Sequence, residues 1–166
     1  MAGQHHGASP HGPGPSATPA PVPNPGTSGD DLIRLDGGVH VIDALDGADR
    51  ILALDIGASL LEGGAGDDVF RLDGAAAAGP VIVDGEGRNR LTIDGAAPPT
   101  FRREAGGDDL HVILGGGTAF DPTRDVVWKD FFDHPLNRVN GLGVAEIEAL
   151  IGDPGPHPAC PRCRSR

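Results

Sequence analysis

The chain has no tyrosine, one tryptophan and five phenylalanines, so aromatic residues make up only 4% of its 166 positions. A large aromatic core is therefore excluded, and any fold must be packed from aliphatic and small side chains. Cysteine is nearly as scarce. Cys160 and Cys163 stand in HPACPRC near the end, and with His157 they make three candidate ligands, one short of a closed zinc site. That proline-rich tail is read as solvent-exposed.

Long hydrophobic runs are missing too. None approaches the roughly 20 residues that cross a bilayer, and the first residues lack the basic-then-apolar order of a secretory signal. No membrane span is expected, and export would have to use another route. There is no H-E-x-x-H, no G-x-S-x-G and no P-loop. Asp130, Asp133 and His134 lie close together in KDFFDHP, a mixture common on surface loops, so the chain is read as non-catalytic, or as part of a larger secreted enzyme whose reactive portion lies elsewhere.

Charge is absent from residues 1–29 and concentrated after them. Residues 30–95 hold 14 acids against 5 arginines, within a chain of net charge −11. Such a segment repels nucleic acid and anionic lipid and attracts divalent cations where carboxylates converge. Nucleic acid is not an expected partner.

What is abundant is glycine, 27 residues, and proline, 16. Seven of the prolines fall in residues 1–28, a stretch with too little apolar surface to offset the entropy of ordering, which reads as a disordered arm. From Gly29 onward short aliphatic runs alternate with Asp-Gly pairs, as in HVIDALDGADRILALD and LEGGAGDDVFRLDG. Runs this short between glycines predict small strands joined by tight turns.

The runs recur. Ile33, Ile42, Ile51, Leu61 and Phe70 are separated by steps of 9, 9, 10 and 9, and each is preceded four residues earlier by Gly29, Gly38, Gly47, Gly57 or Gly66. The stretch GGAGDDVFR, residues 63–71, meets every fixed position of G-G-x-G-x-D-x-U-x, the calcium-binding nonapeptide of RTX proteins. The chain thus resembles the RTX, or haemolysin-type calcium-binding, family over roughly residues 29–140.

That resemblance implies an all-β fold: a parallel β-roll (a β-solenoid) of nonapeptide repeats, each turn holding calcium and each short strand stacking its U residue inside. It implies four regions. They are a disordered arm at 1–28, the calcium-binding roll at 29–95, a capping region with β-strands and a short helix at 96–152, and a flexible tail at 153–166. Alternate repeats would share an edge. Asp31, Asp49 and Asp68 then fall on one edge and His40 and Ser59 on the other, which puts calcium between the turns of the first three.

Gly29, Gly47, Gly64 and Gly66 complete the expected ligand set by permitting turns tight enough to aim carbonyl oxygens at the ion. A later copy, DGEGRNRLT at 84–92, offers Asn89 where the pattern has Asp, a candidate third site. Asp67, one residue out of place, is expected to point outward.

In the second half, GGDDLHVIL at 106–114, DVVWKDFF at 125–132 and NRV at 137–139 resemble the segment that closes such rolls. Trp128, Phe131, Phe132 and Phe120 are expected to pack it. In GVAEIEALIGDP the spacing of Val144, Ile147 and Ile151 predicts a helix that Gly152 ends.

The function implied is calcium binding coupled to folding of an exported module, with type I secretion as its route, although CPRCRSR departs from the acidic and apolar terminus of that pathway. The alternative is a metal-independent structural or adhesive solenoid that binds a protein or glycan and uses Asp-Gly pairs as ordinary turn chemistry.

Overall fold

The computed structural model describes residues 22–54, 56–74, 79–95 and 97–152. Thirteen strands succeed one another: β1 (Val22–Pro25), β2 (Leu32–Asp36), β3 (His40–Asp43), β4 (Arg50–Leu54), β5 (Leu60–Glu62), β6 (Val69–Asp73) and β7 (Val81–Val83), then β8 (Arg90–Asp94), β9 (Thr100–Arg103), β10 (Leu110–Ile113), β11 (Val126–Lys129), β12 (Arg138–Val139) and β13 (Leu142–Gly143). One helix, α1 (Val144–Ile151), closes the described chain.

Consecutive strands from β1 to β8 alternate between two sheets. One is ordered β1-β3-β5-β7-β11-β10-β9 and the other β13-β12-β8-β6-β4-β2. Strands too short to stand alone are held by neighbours in both directions. Because side chains alternate across a strand, each sheet turns one set inward and the other to solvent.

The inward sets stack in register. Ile33, Ile51, Phe70, Leu91 and Val139 pair in succession across one sheet, and Ile42, Leu61, Ile82 and Trp128 across the other. All of these are buried in a single core shared by both sheets. The repeat positions Ile33, Ile42, Ile51, Leu61 and Phe70 are thus the core positions.

The fold class departs from the expectation. A plain all-β parallel roll with a β cap does not describe this chain, which forms two mixed, mostly parallel sheets of seven and six strands plus an α-helix. They do not close into a solenoid, and the arrangement is closer to an α/β fold. The finding that overturns the expectation is the pairing after β8. Hairpin connections turn β9–β10, β10–β11 and β12–β13 antiparallel, while β11 and β12 return to pair parallel with β7 and β8.

The reason is local. The nine-residue spacing that keeps strands parallel ends near residue 94, and Gly106, Gly115, Gly116 and Gly141, all at positive φ, permit reversals instead. The capping region at 96–152 contributes strands to both sheets.

One further difference concerns the N-terminal side. Within the segment read as an arm, β1 pairs parallel with β3. Its prolines suit an edge strand, where a missing amide donor costs no ladder bond on the outer side. Residues 1–21 lie outside the described residues, as do His157, Cys160 and Cys163.

The aromatic residues form a connected row at the centre. Phe70 meets Trp128 edge-on at 6.1 Å, Trp128 meets Phe131 at 5.1 Å, and Phe131 meets Phe132 at 5.2 Å. The Arg103 guanidinium lies 4.5 Å above the Phe132 ring. Phe120 is not in this core; it is half-buried and stacks on His111 at 4.0 Å. Helix α1 occupies the segment its apolar spacing marks, with Val144 and Ile147 buried and Gly152 ending it at φ 73°.

Phe70 therefore links the repeats to the aromatic row. Phe70→Ala should destabilise the chain by about 3–5 kcal/mol, whereas Leu32→Ala, at a side chain 59% exposed, should change stability by less than about 0.5 kcal/mol. Urea unfolding of the two variants checks this.

Candidate metal site along one turn column

The turns before β2, β4, β6 and β8 lie one above another at one edge of the molecule. Their spacing is set by hydrogen bonds that continue the sheet into the turns. Arg50 N donates to Asp31 O at 2.9 Å, Val69 N to Asp49 O at 2.8 Å and Arg90 N to Asp68 O at 2.8 Å.

A second ladder runs through the side chains. The Asp31 amide donates to Asp49 Oδ1 at 2.7 Å, the Asp49 amide to Asp68 Oδ1 at 2.8 Å and the Asp68 amide to Asn89 Oδ1 at 3.0 Å. Asp31, Asp49, Asp68 and Asn89 therefore form one column, as the alternation of repeats implies. At its open end the Asp31 carboxylate accepts instead from the Thr27 amide at 2.5 Å and the Thr27 hydroxyl at 3.0 Å.

Glycine makes the stacking possible. A Cβ on Gly66 would stand 1.8 Å from Gly47 O, one on Gly64 1.7 Å from Leu45 O, and one on Gly47 2.8 Å from Gly29 O. Gly47 and Gly66 both take φ 140° and Gly64 takes φ 93°. No L side chain fits there. The carbonyls of Gly29 and Gly47 are thus pressed against the next turn.

Leu45, the counterpart of Gly64 one turn earlier, adopts φ 71° without being glycine. This is left-handed backbone at a steric cost.

The other edge differs. The His40 amide donates to Ser59 Oγ at 3.0 Å, so serine continues the ladder without charge, and the Ser59 hydroxyl donates to Gly57 O at 3.0 Å. Asp67, expected to face outward, is exposed, and its Oδ1 accepts from the Arg88 amide at 2.9 Å.

One functional candidate was missed in the sequence. Asp84 opens the copy DGEGRNRLT, where the strict nonapeptide has Gly63. Its carboxylate is only 3% exposed and lies beside Asp68: a Cβ on Gly63 would sit 2.4 Å from Asp84 Oδ2 and 2.7 Å from Asp68 Oδ2. Asn89 Nδ2 donates to Asp84 Oδ1 at 2.6 Å and to Glu86 O at 3.0 Å. The charge missing at Asn89 is thus restored five residues earlier, and an acid in place of the leading glycine was the signal that could have found it.

Each of these acids keeps one oxygen unused. Asp49 Oδ2, Asp68 Oδ2 and Asp84 Oδ2 are buried and meet no donor when the acids are ionised, whereas a proton held on Asp84 is shared with Asp68. Burial raises the Asp49 and Asp68 carboxyls above the ordinary range, against the lowering effect of the amides they accept from. Asp84 is pushed up to about 8, first by desolvation and then by repulsion from Asp68. Buried carboxylate oxygens with no donor call for a proton or a cation.

A hard divalent ion suits this oxygen-only set, since it accepts carboxylates and backbone carbonyls together. The Asp68 and Asp84 pair, whose Oδ2 atoms face the same point beside Gly63, would hold it, with glycine carbonyls of the same turns. Among the described residues no group of three or more His, Cys, Asp or Glu side chains converges on one point, so main-chain oxygens would complete the shell.

The remaining sequence candidates lie elsewhere. Asp130 and Asp133 are exposed on the turn after β11, and the His134 ring packs against Gly85, within 3.0 Å of where a Cβ would be. Comparison of the chain with protein-family models, with curated proteins and with solved structures finds no match.

This geometry makes two outcomes testable. Gly66→Ala should unfold the column, because its methyl group would collide with main chain, whereas Leu45→Gly should stabilise by about 1 kcal/mol by relieving the left-handed leucine; thermal melts decide both.

The second concerns pH. Asp84 has a folded-state pKa above its unfolded value, so without a cation its contribution is full below pH 4 and is lost as pH rises toward about 8. In chelator, stability should fall between pH 5 and about 8, and Asp84→Asn should flatten that fall in urea titrations.

Proposed function

We propose that this chain is a non-catalytic, calcium-binding module of RTX-like character, in which calcium occupies the column of Asp31, Asp49, Asp68 and Asp84 and drives the turns to fold. The observation that carries the reading is the row of buried, unpartnered oxygens Asp49 Oδ2, Asp68 Oδ2 and Asp84 Oδ2 in glycine turns stacked too closely for any side chain.

In the absence of a cation these carboxylates repel one another, which opposes the hydrogen-bond ladders that stack the turns. Binding to the folded form alone then emerges as folding free energy. Asn89, with its oxygen given to the Asp68 amide and its nitrogen to Asp84, positions Asp84 and is not itself a ligand in this reading. A chain that folds only where calcium is plentiful would be exported unfolded and mature outside the cell.

A second reading is a metal-independent structural module. It is favoured by the Oδ1 atoms of Asp49 and Asp68, which already serve the fold by accepting main-chain amides.

Far-UV circular dichroism during a calcium titration from chelator, with magnesium as control, separates the two. A calcium-specific rise in β signal is expected. Asp68→Ala should shift the midpoint by about tenfold or more and Asp67→Ala by less than about threefold. A spectrum already β-like in chelator and unmoved by calcium would establish the metal-independent module.

A further inference from the structure

Arginine is the cation this chain uses, and most of its described ion pairs are readily found. Arg71 pairs with Asp94 at 2.5 Å, Arg124 with Asp125 at 3.3 Å and Arg103 with Glu148 at 3.6 Å; Arg103 also pairs with Asp108, and Lys129 with Asp109. Arg34, Arg50, Arg88, Arg90, Arg102 and Arg138 form no ion pair with any described carboxylate, and of these Arg88, Arg90 and Arg138 line one cleft of about 160 Å³ together with Asn89 and Leu136.

The fold brings them together. Arg90 in β8 and Arg138 in β12 are register partners on adjacent parallel strands, with Leu91 and Val139 turned inward, so both guanidinium side chains leave the same outer face about 4.8 Å apart at their bases. Arg88 approaches from the turn before β8. Asn89 forms the inner wall with its amide group already engaged. Arg138 Nη1 donates to Gly141 O at 3.1 Å, which fixes that side chain while leaving its other donors free for a ligand. The neighbouring exposed acid Asp67 accepts the Arg88 main-chain amide at Oδ1 and lies outside the cleft lining.

Three guanidiniums that meet at one cleft with no carboxylate in its lining offer a set of N–H donors that a single anion could share. We propose that the cleft between β8 and β12 binds a phosphate monoester, with Arg90 and Arg138 as its two forks and Arg88 as the third donor. Planar guanidinium groups present paired N–H donors that match a tetrahedral oxyanion. The phosphate is either free or the headgroup of a lipid. The cleft takes no carboxylate of the turn column, but it shares Asn89 with that column, so its shape rests on the same folded turn.

The test uses the full chain in calcium-containing buffer, with glycerol 3-phosphate as the soluble probe and vesicles of phosphatidate, against phosphatidylcholine, as the lipid probe. Saturable binding of glycerol 3-phosphate by calorimetry is expected. It should weaken about tenfold or more in the double variant Arg90→Gln/Arg138→Gln and by less than about twofold in Arg34→Gln/Arg50→Gln, which removes the same charge from the same sheet.

Capture by phosphatidate vesicles with that same ranking of variants assigns the headgroup; binding of the soluble probe alone assigns a free phosphate. In the unmutated chain, arginine Nε–H resonances give an independent readout, with shifts expected at Arg88, Arg90 and Arg138. Absence of saturable binding of either probe, or equal weakening by the two double variants, would overturn the proposal.

Discussion

The structure depends on one repeated contact: an aspartate or asparagine side chain on each turn accepts the main-chain amide of the equivalent residue on the turn before. Asp49, Asp68 and Asn89 each do this, at 2.7, 2.8 and 3.0 Å. That bond satisfies a buried donor the turn could not otherwise pair, and it fixes the vertical spacing at which the strands behind it form their ladders. It also has an electrostatic consequence. Using one oxygen of each acid as a structural acceptor leaves the other buried without a donor, so the interaction that orders the turns also concentrates negative charge at one edge.

The core adds the second constraint. With few aromatics, the interior is a set of in-register aliphatic columns, and the large rings are placed where the repeats end. Trp128 continues the column of Ile42, Leu61 and Ile82, and from there Phe131 and Phe132 extend the packing toward Arg103 and α1. The later strands are thereby joined to the repeats as continuations of the same two sheets. This unity places Arg138 beside Arg90, because β12 completes the sheet that β8 would otherwise leave open.

Much of this was legible in the chain. The nine-residue recurrence marked the core positions, the alternation of Asp with His and Ser marked which turns share an edge, and the glycines marked the nesting. The fold class was not legible, because periodicity describes the repeats and carries no information about the strands beyond residue 94. Whether β9, β10 and β13 run parallel or antiparallel depends on long-range pairing that no local spacing encodes. Asp84 was missed for a related reason: its importance comes from proximity to Asp68, sixteen positions earlier in the chain, and from burial, whereas its own surroundings read as one more Asp-Gly turn.

The sequence by itself determined the local chemistry: where backbone must turn, which residues face inward, and which turns carry acid. These are consequences of covalent geometry and side-chain alternation, which act over a few residues. Only the tertiary structure decided the company those residues keep. It set Asp84 against Asp68, left their second oxygens unpartnered, and gathered Arg88, Arg90 and Arg138 at one cleft. Burial and charge proximity are properties of the packed chain, and strands distant in sequence come to lie beside each other only once both sheets have formed.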